Sequence, residues 1–569
     1  MSSSYNVGDL VAEFLSLCGV TTAFGIVSVH NIPMLDGIGR RNAIRFVMTR
    51  GELGASHMAD AYARATDGLG VLFTSTGPGS ANAVAGLVEA QFAGSALLHI
   101  TGQTPTKFVD RGTGSVHDVP DQLGTMASAG KAAFRVRSAA QALGTLMKAA
   151  SLALTPPRGP VTVEVPIDIQ RTPIERPVMF DRFVLPVGRA IAPSEADLDE
   201  LAERVAKAKR PMLWMGNGAK GARAGAMALM ELGFGTVSSW NGRGTIPEDH
   251  PMSIAGLNGN GAAAVQAFYD ECDLMLVAGS RMRGHETSEF SVRMPKNLIQ
   301  IDLDPEANGR TYPSSWFMTG DVASTLAGLA SRLKGRMAVA PGYAAEFGAM
   351  KATALAAFKD TLGPYATFSE QLRAVMPRDA IWVRDITLNN STWGNRMFPL
   401  FDPTSNIYPI GAGIGVGLHL GIGAAMGANG RKTVMMSGDG GFFLNMTELW
   451  TAAQEQPDIV MIVMNDEGYG VIKHIQDSLY GGRRFYGDLL APDLQQLAAL
   501  AGVPSFKVSD GEKFGATVAQ ALAVRGPTLV EVDMTAIGAF PPYAPYNKKQ
   551  SYTNRPNLGL SAVSNGGIL

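Results

Sequence analysis

Two hydrophobic periods alternate along the chain. Short apolar runs at Thr21–Gly25, Arg45–Met48, Gly70–Thr74, Ala96–Thr101 and Pro160–Val165 read as buried strands. Between them, apolar residues recur at helical spacing in Asp9–Cys18, in the Ala-rich Glu52–Arg64, and from Gly77-Pro78-Gly79 through Gln91. The alternation restarts with strand Arg210–Met215, helix Ala224–Leu232 and strands Asp273–Ala278 and Asn297–Ile301. It starts a third time with strands Ala380–Arg384, Thr433–Met436, Ile459–Met464 and Thr528–Val532. Strand–helix alternation of this kind predicts parallel sheets with helices on both faces, an α/β fold. Proline-bearing connections near Thr155–Arg158 and Gln170–Pro186, and a linker at Ala338–Tyr343, separate the three stretches. After Pro541 periodicity is lost, and the chain reads as a surface tail.

One stretch imitates a membrane span. Pro403–Gly430 carries no Asp, Glu, Lys or Arg, but it holds eight glycines and lacks anchoring residues on both sides, so buried soluble structure is expected. Charge then narrows the partners. The 569 residues hold 48 basic and 50 acidic side chains, a net charge of −2, which argues against a nucleic-acid partner. Charged residues make up 17% and hydrophobic ones 46%, which excludes a mostly disordered chain. Cys18 and Cys272 are the only cysteines, so neither a disulfide framework nor a Cys-rich zinc site is available. With no signal peptide read at the N-terminus, a cytoplasmic protein is expected.

The strongest chemical signal lies in the last third. Strand Thr433–Met436 runs into Ser437-Gly438-Asp439-Gly440-Gly441, and a helix is expected over Asn445–Glu455. Strand Ile459–Met464 then runs into Asn465-Asp466-Glu467-Gly468-Tyr469-Gly470. One crossover helix fits between the loops, so both should emerge at the same C-terminal sheet edge. Carboxylates and bared peptide N–H groups there suit a hard divalent cation bridging a diphosphate. The alternative is a pair of tight turns with solvated carboxylates.

These residues resemble the signature of the thiamine-diphosphate-dependent enzymes. The resemblance implies Mg²⁺ held by Asp439, Asp466 and the carbonyl of Gly468. It implies a diphosphate cradled around Gly438, Gly440, Gly441, Asn465, Tyr469 and Gly470. The family usually has Asn where this chain has Asp466.

Arg50-Gly51-Glu52 through Arg64 is similar to the family's pyrimidine-binding stretch. There a glutamate, here Glu52, hydrogen-bonds N1′ of the aminopyrimidine, so that the 4′-nitrogen takes the proton from thiazolium C2. Glu52 otherwise reads as an ordinary acid at a helix N-terminus. Gly411-Ala412-Gly413-Ile414-Gly415-Val416-Gly417 resembles the segment behind the cofactor, with Ile414 as the wedge that bends it and the Ala412 carbonyl receiving the amino group. A buried glycine-rich turn is the alternative.

Thr74–Asn82, Ile100–Gln103 and Ile301–Pro305 extend the likeness to the acetolactate synthase and benzoylformate decarboxylase group. The resemblance implies three doubly wound parallel-sheet domains: pyrimidine-binding (1–185), central (190–335) and diphosphate-binding (350–545), with a tail over 546–569. Gly216, Gly218 and Gly221 fit a dinucleotide pattern, but Val237-Ser238-Ser239-Trp240 supplies no acid for a ribose. Gly279-Ser280-Arg281 resembles a flavin-contacting turn, so the central site stays open between an empty site and FAD.

Candidate substrate-facing residues are Ser28, Val29, His30, Gln103, His117, Asp118, Ile472, His474 and Ile475. Glu52, His30, Gln103 and His117 are the catalytic candidates; each histidine is otherwise a core or surface residue. Pyruvate-decarboxylase-type enzymes carry a His-His pair near His117 and a Glu near Ile472, and herbicide-sensitive acetolactate synthases carry a Trp near Ile475; this chain has neither feature.

The resemblance therefore implies a carboligase that forms 2-hydroxy ketones from a 2-oxo acid or 1,2-diketone donor and an aldehyde or ketone acceptor. Alternatives are an aryl 2-oxo acid decarboxylase, an FAD-containing oxidase and an inactive cofactor-binding relative. No membrane partner is expected. A homodimer or homotetramer is, because family sites join the first domain of one subunit to the third of another. Tyr543 and Tyr546 either close the site or lie on a surface tail.

Overall fold

A computed structural model describes residues 5–259 and 262–541. Its strands form three sheets. The first contains β1 (Thr22–Gly25), β2 (Arg45–Met48), β3 (Gly70–Thr74), β4 (Leu97–Gln103), β5 (Ala132–Arg135) and β6 (Pro160–Pro166), in the order β2-β1-β3-β4-β6-β5. The second contains β7 (Pro211–Met215), β8 (Gly235–Ser238), β9 (Leu274–Ala278), β10 (Leu298–Asp302) and β11 (Trp316–Thr319), in the order β11-β10-β9-β7-β8. The third contains β12 (Ile381–Arg384), β13 (Asn406–Ile407), β14 (Thr433–Gly438), β15 (Ile459–Asn465), β16 (Ser505–Val508) and β17 (Thr528–Asp533), in the order β13-β12-β14-β15-β17-β16.

Every ladder within these sheets is parallel, as the alternation predicts. The strands read from the sequence are mostly buried on both faces, and unbroken apolar runs are what such strands show. β5, β8, β11, β13 and β16 escape a sequence reading, and all five lie at sheet edges. An edge strand has one neighbour, so polar residues such as Ser505 and Lys507 are tolerated there and the apolar run dissolves.

Two predicted helices are broken. The segment after Gly77 forms Pro78–Asn82 and Val84–Ala93 rather than one helix. The helix expected from Asn445 instead starts at Asp439, runs to Leu444, and is interrupted at Asn445 before a 3-10 turn (Met446–Glu448) and a helix (Leu449–Glu455). The cause of that second break is tertiary: Asn445 Nδ2 donates to the carbonyl of Gly415 at 2.8 Å.

The apolar stretch 403–430 is buried only in part. Helix Gly417–Met426 packs against helix Glu52–Thr66 so closely that a Cβ on Gly423 would stand 2.2 Å from the carbonyl oxygen of Met58. Gly411–Ile414, expected to be buried, is exposed in the single chain, with Ile414 43% accessible, because this loop projects beyond the C-terminal end of β13. Among the described residues no helix is long and apolar enough to cross a membrane. Tyr543 and Tyr546 lie outside the described residues.

Three fully enclosed histidines set an acid limit on stability. His99 on β4 sits between Thr74 and Thr162, its Nε2 2.8 Å from Thr74 Oγ1 and its Nδ1 3.1 Å from Thr162 Oγ1, and burial pushes it down to about 3. His57 and His419 face each other across the two packed helices, ring centroids 5.7 Å apart. Burial holds both below the usual range, and for His419 the neighbouring His57 adds to it. These rings are neutral when folded, whereas the unfolded chain takes up their protons below pH ~6.5, so stability is full above that pH and is lost as pH falls below it. His99 alone is expected to remove about 2–3 kcal/mol by pH 4.5. Urea midpoints measured from pH 8 to 4.5 check this; a midpoint unchanged below pH 6 would refute it.

Candidate active site

The third sheet brings the two glycine-rich loops together. β14 and β15 are direct neighbours, with Ser437 opposite Val463 and Gly438 opposite Met464, so their loops leave the same edge. Asp439 opens its helix and is buried. Its Oδ2 accepts from the peptide N–H of Gly468 at 2.8 Å, and its Oδ1 from that of Asp466 at 3.3 Å. Burial raises the Asp439 carboxyl. Asp466 is pushed up to about 7, first by burial and then by the charge of Asp439.

Lys473 answers that charge only partly: its Nζ donates to the Asp466 carbonyl at 2.8 Å but stands 4.0 Å from the carboxylate. Asn465 turns elsewhere, donating to Glu531 Oε1 and accepting from the peptide N–H of Glu467.

The cradle is shaped by missing side chains. A Cβ on Gly470 would lie 2.0 Å from Asp466 Oδ2, and one on Gly440 would lie 2.8 Å from the Tyr469 ring and 3.0 Å from the Gly468 carbonyl oxygen. A buried carboxylate (Asp439) and a half-buried one (Asp466) that repel each other, beside a peptide oxygen, form the hard donor set that Mg²⁺ takes, and a divalent cation would relieve the repulsion. Among the described residues no group of three or more His, Cys, Asp or Glu side chains is placed to hold a metal. A set of two carboxylates and a carbonyl is a different kind of site.

Sequence reasoning missed the residue that folds the glycine-rich run. Asp385, just past β12, is fully buried and accepts from the peptide N–H groups of Ile386, Gly415 and Gly417 and from Ser437 Oγ. Burial raises its carboxyl, and those four donors offset the cost. Its signal was available: like Asp439, it is an Asp at the C-terminal end of an apolar strand. Lys473 was missed too, because its partner is a carbonyl and no residue pattern marks that. Within the run, Ala412 adopts φ 62° and Ile414 projects outward.

The other candidates gather at the C-terminal edge of the first sheet. Glu52 is the first residue of its helix and is buried; its Oε2 accepts from Asn82 Nδ2 at 3.2 Å. Gln103 ends β4, and its Oε1 accepts from Thr76 Oγ1 and the peptide N–H of Thr104. Nδ1 of His30 and Nδ1 of His117 meet at 3.4 Å, so one ring donates and the other accepts. Burial and then His117 hold His30 below the usual range. The turn at Gly77 (φ 59°) seats the His117 loop; a Cβ there would stand 2.3 Å from the His117 carbonyl oxygen.

Ser28 Oγ accepts from the peptide N–H of His30, while Val29 is exposed. Asp118 lies beside His117, and its peptide N–H donates to the carbonyl of Ser115. Ile472, His474 and Ile475 lie on helix Gly470–Leu479, at the other sheet.

The candidate residues thus form two separate clusters. Among the described residues no hydrogen bond or ion pair joins Glu52 to Asp439, to Asp466 or to the Gly411–Gly417 run. A separate cleft of about 520 Å³ is lined by Arg158, Lys220, Gly221, Arg281 and Asp302, among others. Gly218 N–H donates to the Gly279 carbonyl there, so the two glycine turns brace each other. Burial lowers Lys220 to about 8.

Comparison with known proteins places three family models along the chain. The family model described as the N-terminal TPP binding domain of thiamine pyrophosphate enzymes matches residues 5–125, the central-domain model matches 198–329, and the C-terminal TPP binding domain model matches 388–532. A probable 2-ketoarginine decarboxylase from Pseudomonas aeruginosa is 31% identical over 90% of this chain and 89% of its own. The large subunit of acetolactate synthase isozyme 1 from Escherichia coli is 26% identical over 93% of this chain and 94% of its own. A probable acetolactate synthase large subunit from Methanocaldococcus jannaschii is 25% identical over 94% and 93%.

Proposed function

The chain belongs to the thiamine pyrophosphate enzyme family, and we propose that it cleaves the bond beside the carbonyl of a 2-oxo acid and joins the acyl fragment to a second carbonyl, giving a 2-hydroxy ketone. The observation that carries this is a pair of half-sites: a buried acid at the edge of the first sheet, and a set of one buried and one half-buried carboxylate at the edge of the third. When bound, thiamine diphosphate supplies the electron sink for the cleaved bond.

The chain's own residues do the rest. Asp439, Asp466 and the Gly468 carbonyl would hold Mg²⁺, and the peptide N–H groups around Gly440 and Gly441 would take diphosphate oxygens. Glu52, buried at its helix start, would share a proton with a ring nitrogen of the cofactor. The Ala412 carbonyl would accept from the cofactor's amino group, and Ile414 would pack against its rings. His30 and His117, joined through their Nδ1 atoms, hold and move a proton over the substrate, and Gln103 orients it.

A complete site then takes Glu52 from one copy and the cation set from another, so the enzyme is a homodimer or homotetramer. The exposed apolar side chains Val27, Val29, Phe92, Ile414 and Leu444 support such a covered face. Release of an aldehyde without ligation is a second reading, favoured by the 31% likeness to a 2-ketoarginine decarboxylase. In the central cleft, the missing ribose acid in Val237–Trp240 favours a site without flavin, and purified protein is expected to show no flavin absorbance.

A panel of 2-oxo acids and 1,2-diketones, with and without aldehydes, tests the activity. CO₂ release together with hydroxy ketone formation is expected for at least one 2-oxo acid. Tight Mg²⁺-dependent binding of thiamine diphosphate with no turnover of any panel member would instead identify an inactive relative.

A further inference from the structure

Two buried glutamates reach across the seam between the first and third sheets in opposite directions. Glu448, in the 3-10 turn after the Asp439 helix, is 2% exposed. Its Oε1 accepts from the peptide N–H of Arg50 at 2.9 Å and of Gly51 at 3.1 Å, and its Oε2 accepts from Thr451 Oγ1. Gly51 is the residue before Glu52.

Glu89, on helix Val84–Ala93, makes the mirror contact. Its Oε1 accepts from the peptide N–H of Ile410 at 2.6 Å and its Oε2 from that of Gly411 at 2.7 Å. Gly411 is the residue before Ala412. Each glutamate therefore grips the two successive peptide groups that lead into a cofactor-facing residue of the other unit.

The surroundings are built for these grips. A Cβ on Gly54 would stand 2.3 Å from Glu448 Oε1, and one on Gly411 would stand 2.9 Å from Glu89 Oε2, so both carboxylates lie where only glycine leaves room. Arg64 pairs with Glu89 at 2.7 Å and donates to the Tyr408 carbonyl at 2.7 Å, fixing the same loop from behind. Arg50 sends its guanidinium to Thr451 and Gln454, fastening its loop to the helix that follows Glu448. A buried carboxylate is costly unless its lone pairs are filled. Peptide donors fill these, so the cost is offset only while the two loops stay where they are.

We propose that Glu448 and Glu89 are reciprocal positioning residues: Glu448 aims the Glu52 carboxyl at a ring nitrogen of an aminopyrimidine, and Glu89 aims the Ala412 carbonyl at an aminopyrimidine's amino group. This rests on the function proposed above. With each site completed by two copies, the clamp of one chain aims Glu52 into one site and Ala412 into the other. The grip is made by oxygen lone pairs, so an amide oxygen can replace the carboxylate at Glu448.

The test uses the full-length protein and the variants Glu448→Ala, Glu448→Asp, Glu448→Gln and Glu89→Ala. Three quantities are read: amide hydrogen exchange of peptides covering residues 49–54 and 409–414 in the cofactor-free protein, the affinity for thiamine diphosphate with Mg²⁺, and the rate of C2–H exchange of the bound cofactor. Glu448→Ala and Glu448→Asp are expected to speed amide exchange at 49–54, and Glu89→Ala at 409–414. All three are expected to slow C2–H exchange by about tenfold or more, with affinity within about threefold. Glu448→Gln is expected to restore both exchange rates.

Unchanged amide and C2–H exchange in the Ala and Asp variants would overturn the proposal. So would C2–H exchange and affinity falling in proportion, or a Gln variant no better than Ala. If Glu448→Ala does not fold, the shortened Glu448→Asp decides by the same readouts. Failure of the unaltered protein to bind thiamine diphosphate would bring down the function itself, and the clamp with it. An unaltered protein that binds and exchanges normally, with variants indistinguishable from it, brings down the clamp alone.

Discussion

Glu52→Gln is expected to slow turnover by roughly 100- to 10,000-fold, the usual worth of a positioned acid–base group, while thiamine diphosphate and Mg²⁺ remain bound. The amide fills the same buried space and still accepts from Asn82 Nδ2, so the helix start is undisturbed. What is lost is the proton that the carboxyl shares with a ring nitrogen. Steady-state rates beside a cofactor titration separate the two effects. Turnover within a few-fold of the unaltered enzyme would remove Glu52 from the mechanism and return it to the role of an ordinary helix-start acid.

Asp439→Ala acts on the other half-site and fails in a different way. The substitution deletes one of two carboxylates in the proposed cation set and strips the acceptor from the peptide N–H groups of Gly468 and Asp466. Losing a charge-assisted contact of this kind is expected to weaken Mg²⁺-dependent cofactor retention by about 10- to 100-fold or more. Asp439→Asn removes the charge and can keep only one of the two hydrogen bonds to the loop, because its amide nitrogen donates and cannot accept, and it is expected to lose affinity as well. In both variants Asp466 is freed from its repelling neighbour, so its carboxyl should fall from the neighbourhood of 7, leaving burial alone to raise it. Isothermal titration with the cofactor and Mg²⁺ reads the affinity; retention equal to that of the unaltered protein would refute the metal assignment.

The two half-sites differ in how much of them a sequence displays. Ser437–Gly441 and Asn465–Gly470 are local objects: each is a strand end, a turn and a helix start within six residues, and their glycines and acids are contiguous. Asp385 is as buried and as central to the glycine-rich run as Asp439 is to its own loop. Three of its four partners lie 30 to 52 residues away, beyond any spacing rule, which leaves its place at a strand end as the one local sign. Glu448 and Glu89 are harder still, since their partners are peptide N–H groups 321 to 398 residues distant, and a peptide group has no sequence signature.

The alternation of apolar runs and helical spacing determined the α/β class and the strands buried on both faces, because burial on both faces demands unbroken apolar side chains. Glycine beside acid determined where a cation and a diphosphate would be held, because close backbone approach and oxygen ligands are local requirements. Only the tertiary structure decided five of the six edge strands, the break at Asn445, the exposure of Ile414, the meeting of His30 with His117 and the crossed grips of Glu448 and Glu89. Each depends on a contact between segments far apart in the chain, and such contacts are fixed by packing and hydrogen-bond satisfaction rather than by the identity of neighbouring residues.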